Sequence, residues 1–169
     1  MQTTTKNKFN SVAEQTSNTT TSWIGRYAGD NKESKKGQTF QSSSEGELSS
    51  IDVFSALVVR SGEVMITLHE FDALSRQWGA RLASVTVPFS KSDSDKWISF
   101  SLQGVHMQKD KWYGFLLQSP SSLIGIGEAA GTYRQPLEGK GQEWKFTSED
   151  SQGQSFSYFS LAYKVALRA

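Results

Sequence analysis

Cysteine is absent from this 169-residue chain, which removes disulfides, thiolate metal sites and cysteine nucleophiles together. No sign of charge dominates: eighteen Lys and Arg face seventeen Asp and Glu, for a net charge of +1. The chain as a whole therefore sets up no field that draws in nucleic acid or an anionic membrane. No apolar run approaches the roughly 18 residues needed to span a bilayer. The N-terminal stretch also lacks the basic start and the apolar run of roughly 7–15 residues that a secretory signal requires. The location is therefore read as cytoplasmic by default, or extracellular if Met1 was added to an exported parent.

Familiar catalytic and cofactor patterns are missing as well. The two histidines, His69 and His106, sit in no H-x-H or H-E-x-x-H spacing, which zinc sites favour. There is no G-x-S-x-G elbow for a serine nucleophile. Gly125-Ile126-Gly127 lacks the third glycine and the following helix of a phosphate loop. Asp52, Asp93-Ser94-Asp95 and Glu149-Asp150-Ser151 offer oxygen donors of the kind calcium takes, yet none completes a calcium loop. No cofactor is expected, and a structural calcium ion has donors without a full motif.

What the chain does have is serine and aromatic side chains: 26 Ser, five Trp, five Tyr and ten Phe. A disordered chain lacks such large apolar groups, and the length suits one domain. Residues 1–22, rich in Thr with only Phe9 and Val12 as sizeable apolar groups besides Met1, read as a flexible polar tail. Residues 23–169 read as a single domain.

From Gly37 onward apolar residues recur at every second position. Ile51, Val53, Ser55 and Leu57 alternate with Asp52, Phe54, Ala56 and Val58. Val64, Ile66 and Leu68 alternate with Met65, Thr67 and His69, with Ser61-Gly62 as the turn between the two runs. Further strands are expected at 82–89, 96–102, 111–119, 123–128, 143–147 and 155–167. Roughly nine strands with short breaks and no helical stretch predict an all-β fold, an antiparallel two-sheet β-sandwich of jelly-roll type. One-sided strands such as Ile98, Phe100 and Leu102 against Ser99 and Ser101 suit two layers on one core.

The same alternation turns Trp97, Phe71, Phe156 and Tyr158 away from the core. Outward aromatics form a platform for sugar rings or a protein contact patch. Two Gly-rich stretches gather the rest: residues 23–30 with Trp23, Arg26 and Tyr27, and residues 125–144 with Glu128, Tyr133, Arg134 and Trp144. A connection of about 14 residues is long for a compact domain, and such loops carry function disproportionately. A carboxylate, guanidinium groups and stacking rings are what binds a polyol, so these seven residues are the expected ligand site.

His69-Glu70-Phe71-Asp72-Ala73-Leu74-Ser75 partly resembles the E-x-D-x-x-E strand of jelly-roll glycosidases of the lichenase and laminarinase type. Glu70 and Asp72 match its first two acids. Ser75 replaces the proton donor, and retaining hydrolysis needs two carboxyl groups about 5 Å apart. Catalysis by Glu70 and Asp72 is therefore the least supported reading, and the chain is expected not to be an enzyme.

Gly37-Gln38-Thr39-Phe40, residues 46–53, Val64-Met65-Ile66-Thr67-Leu68-His69-Glu70-Phe71 and residues 109–115 follow one another in an order similar to jelly-roll accessory modules of bacterial surface and secreted proteins. The likeness runs from Gly37 to Phe115, with Asp110-Lys111 where those modules carry a glycine turn. It implies a non-catalytic sandwich resembling carbohydrate-binding modules. Two functions follow as expectations: a module binding carbohydrate or a similar polar ligand, or a structural or adhesion module that contacts protein, including copies of itself.

Overall fold

Period-two patterning produces strands and almost nothing else. The computed structural model describes residues 9–29, 31–131 and 141–168. Among them run fourteen strands: β1 (Phe9–Gln15), β2 (Thr20–Gly25), β3 (Ser34–Gln41), β4 (Gly46–Arg60), β5 (Gly62–Asp72), β6 (Gln77–Phe89), β7 (Lys96–Ser101), β8 (His106–Met107), β9 (Trp112–Gln118), β10 (Leu123–Ala130), β11 (Glu143–Thr147), β12 (Asp150–Phe156), β13 (Phe159–Leu161) and β14 (Tyr163–Arg168). A single 3-10 turn at Lys91–Asp93 is the helical exception among the described residues. No helix there is long and apolar enough to cross a membrane.

All pairings are antiparallel, and the main ladder is continuous in the order β1-β14-β4-β10-β2-β3-β9-β5-β6. It is strongly curled and sandwich-like, wrapped on one hydrophobic core. Strand β4 makes the bend. Leu48 to Val53 pair with β14, while Ser55 to Arg60 pair with β10, where the register shifts twice. Such irregularities increase local twist and let a sheet turn over on itself. Strands β4 and β5 share no ladder, so Ser61 carries the chain around a corner, where the sequence suggested a simple turn.

The core joins the inner faces of both arms. Phe40 on β3 meets Tyr113 and Phe115 on β9, at ring separations of 6.0 and 6.4 Å, and Tyr163 on β14 at 6.1 Å. Phe89 on β6 reaches Phe100 on β7 at 6.0 Å, closing the other side. Each such ring contributes about 1.5–3 kcal/mol by leaving water.

Three differences from the sequence reading have local causes. Strand β1 and the start of β2 lie within the segment read as a tail; β1 pairs with β14 and buries Val12, but its other residues are mostly polar and leave no alternation. The count rises from about nine to fourteen partly because residues 150–168, mostly read as one strand, form three. Ser157 and Tyr158 make a turn with neither Gly nor Pro to announce it.

Candidate functional site

Strand geometry sends neighbouring side chains to opposite sides of a sheet, and this separates the residues expected to form one site. On β11, Glu143 and Trp144 point to opposite faces. Glu143 lies opposite Gln38 and Trp144 opposite Gly37. Glu128 belongs with Glu143, whereas Trp144 belongs to an aromatic group on the outer face. Trp23 packs over Gly125 on β10. Arg26 donates from Nη1 to the Asn31 carbonyl at 3.3 Å, and Tyr27 is 47% exposed. Tyr133 and Arg134 lie outside the described residues. Among the described residues, Glu128 and Trp144 therefore lie on different sides of the sheet, with Trp23, Arg26 and Tyr27 on and after β2.

The inner group is a buried carboxyl pair. Glu128 is 8% and Glu143 3% exposed. Thr20 Oγ1 donates to Glu128 Oε1 at 2.8 Å, and Ser22 Oγ donates to Glu143 Oε1 at 2.7 Å. Glu143 Oε2 meets no N–H or other O–H donor. Burial, the hydrogen bond to Glu128 and the Glu128 charge push the Glu143 carboxyl up to about 9. It therefore keeps a proton at neutral pH. Lys36 on β3 faces the pair, and burial lowers its ammonium pKa despite the attraction of Glu143. Closed off in this way, the pair serves the interior.

The outer group is built on glycine. Gly37 on β3 and Gly114 on β9 leave the sheet surface bare, and the Trp78 indole rests there: a Cβ on Gly114 would fall 2.4 Å from Trp78 Cζ3. Around Trp78 stand Phe71, Trp144 and Phe146, each with ring centres 5.7–5.8 Å away. Trp144 stacks on Phe146 at 6.1 Å and 15°. The Arg76 guanidinium lies 5.6 Å from the centre of the Trp144 ring. It donates to Gln142 Oε1 at 2.7 Å and to Ser155 Oγ. The indole N–H groups of Trp78 and Trp144 are buried without a hydrogen-bond partner.

Beside this aromatic floor opens a cleft of about 550 Å³. Lys35 enters from β3, Arg76 from the β5–β6 connection, Gln77 and Trp78 from the start of β6, and Phe146 from β11. Ser151 and Gln152 come from β12, and the remaining lining, Leu116, Thr147 and Ser148, is uncharged. Arg76 is held in the left-handed region, φ +57°. The preceding turn is fixed by Asp72, whose Oδ1 accepts from the backbone N–H of Leu74 at 3.0 Å and of Ser75 at 3.2 Å. Aromatic surface bordered by planar hydrogen-bonding groups can stack a sugar ring and bind its hydroxyls.

A second depression of about 500 Å³ shares Gln77 and Trp78 and extends to Glu70, Asp72 and Trp112. Glu70 is in an ion pair with Lys111 at 2.7 Å, and Asp72 is the turn acceptor just described. Among the described residues, no group of three or more His, Asp and Glu is placed to hold a metal ion. Of the acids considered for calcium, Asp93 accepts from the Ser90 N–H at 2.8 Å, Asp150 from the Gln152 N–H at 3.2 Å, and Glu149 pairs with Lys32 at 3.1 Å.

Lys35, Arg76, Gln77, Trp78, Phe146 and Gln152 were not singled out from the sequence. Arg76 to Gly79 read as a break between strands, and only the β3–β11 pairing brings Lys35 beside Phe146. The one local signal was the pairing of bulky Phe71 and Trp78 across a short connection. Neither protein-family models nor curated proteins gave a match to this chain.

Proposed function

We propose that this protein is a non-catalytic binding module that takes a carbohydrate in the cleft beside Trp78 and Phe146. In this reading the curled sheet is a jelly-roll-like sandwich, with β1, β14, β4 and β7 as one layer and β3, β9, β5 and β6 as the other. The observation that carries the reading is the meeting of an aromatic floor with Arg76, Gln77 and Gln152 in one open cleft. Rings stack on sugar faces, and planar polar groups hydrogen-bond to paired hydroxyls. The test is electrophoresis through gels containing a panel of soluble polysaccharides. Retardation in at least one gel, lost in Trp78→Ala, supports the reading; free migration in every gel contradicts it.

A second reading, a protein-contact module, is favoured by a different face. Phe54 and Trp97 pack edge to face at 5.4 Å, and Lys164 Nζ lies 4.2 Å from the Trp97 ring centre. Leu57 and Val59 on the same strand are 48% and 46% exposed. Sedimentation equilibrium tests its self-associating form: reversible dimers abolished by Leu57→Lys favour it, and a monomer at high concentration counts against it.

A further inference from the structure

The charge of the cleft goes further than its shape. We infer that its ligand is anionic: an acidic carbohydrate whose carboxylate or sulfate groups are received by Lys35 and Arg76. This rests on the carbohydrate reading above and narrows it. Two cationic side chains line the cleft, and no Asp or Glu does. Among the described residues only Lys111, with Glu70, and Lys32, with Glu149, form Lys or Arg ion pairs, so what sets the cleft apart is that two cations line one concavity with no acid in its lining. Arg76 instead donates to a neutral amide and a hydroxyl and lies against the Trp144 ring, and neither it nor Lys35 forms an ion pair with a described residue.

The acids that flank the cleft are committed elsewhere. Glu149 is neutralised by Lys32. Asp72 and Asp150, themselves outside the cleft lining, keep their charge, but their Oδ1 atoms accept from the turn N–H groups of Leu74 and Ser75 and of Gln152 and Gly153. The guanidinium is also pre-positioned, since the Asp72 turn, the left-handed backbone at Arg76 and the Trp144 face all restrict it. A planar fork held in place next to an aromatic surface suits an oxyanion carried on a sugar ring.

The test compares retardation of the intact chain in gels of polygalacturonate, dextran sulfate and uncharged hydroxyethyl cellulose, across about 0.05 to 0.5 M NaCl. The expected result is strongest retardation in one of the acidic polymers, weakening with salt as screening shortens. Polygalacturonate and dextran sulfate separate carboxylate from sulfate recognition. Lys35→Gln and Arg76→Gln are each expected to weaken binding about tenfold, the equivalent of one charged hydrogen bond, while Lys91→Gln, on the 3-10 turn and lining neither depression, leaves it unchanged. Circular dichroism checks that each variant keeps its fold. Equal or stronger binding to the uncharged polymer, or acidic binding untouched by Lys35→Gln and Arg76→Gln, overturns this inference and leaves the carbohydrate reading standing. No retardation by any polymer overturns both.

Discussion

The indole of Trp78 occupies space that Gly114 leaves open: a Cβ built on that glycine would lie 2.4 Å from Trp78 Cζ3 and 2.5 Å from Cη2. The floor of the candidate cleft thus depends on a residue two strands away from the ring it supports. Gly114→Ala is expected to displace the indole, costing about 1–3 kcal/mol of stability through overpacking and weakening ligand retention. Gly37→Ala should cost less, because its nearest neighbour is the movable Leu116 Cδ2 at 2.8 Å. Urea unfolding followed by tryptophan fluorescence ranks the two, and equal effects would contradict this placement of Trp78.

Trp144 and Arg76 touch, yet they should behave differently. Trp144 is 6% exposed and packs against Phe71, Trp78 and Phe146. Trp144→Ala should therefore cost about 3–5 kcal/mol, as other large-to-small core changes do. Arg76→Ala loses an exposed cation–π contact and two hydrogen bonds at the surface, expected at about 1 kcal/mol or less. Thermal unfolding of the two variants gives the comparison; an Arg76→Ala loss as large as that of Trp144→Ala would make the arginine a structural pin.

Much of the fold was legible because burial on one face of a strand writes itself as alternation. Ile66, Leu68 and Phe100 were each read as core-facing and are fully buried. Strand β1 left no such trace, since it lies at the end of the ladder and Val12 is its one buried side chain. The site was far less legible. Glu128 and Trp144 were grouped by closeness in sequence, and the two faces of β11 separate them. The cleft draws on residues from Lys35 to Gln152, joined by long-range antiparallel pairing that no local pattern encodes. Trp78 was hidden in a stretch that reads as a turn.

The buried carboxyl pair predicts a pH dependence of stability. Glu143 ionises near its ordinary 4.5 when unfolded and near 9 when folded. Between those values the folded state holds a proton that the unfolded chain has released, so stability falls as pH rises across the window. Below it both states are protonated and the benefit is complete. Lys36, lowered by burial, acts in the opposite sense toward its ordinary 10.5, and Lys145 and Glu128 complete the surrounding charges. Glu143→Gln keeps the shape and removes the titration. Melting temperatures from about pH 5 to 9 should decline less steeply in Glu143→Gln than in the parent; parallel profiles would exclude a buried proton on Glu143.

The two histidines should titrate on opposite sides of the ordinary value of 6.5. His106 lies between Glu45 at 2.9 Å and Glu47 at 3.0 Å, and hydrogen bonds to both raise it. His69, next to Trp78 and bonded to Thr67 Oγ1 at 2.9 Å, is lowered chiefly by burial. Imidazole proton resonances followed from pH 5 to 8 separate them, and Glu45→Gln should move the higher one down. Coincident titrations would contradict both environments.

The location of the ligand site is tested most directly by a two-dimensional 1H–15N titration with oligogalacturonate, with a cello-oligosaccharide as the uncharged counterpart. The five tryptophan indole N–H signals serve as reporters spread over the molecule. Binding in the proposed cleft predicts saturable shifts of the Trp78 indole and of the Arg76, Phe146 and Gln152 amides, with Trp23 and Trp97 unmoved. Shifts centred on Trp97 and Phe54, or on Trp23 and Tyr27, or no shift with either sugar, would contradict it.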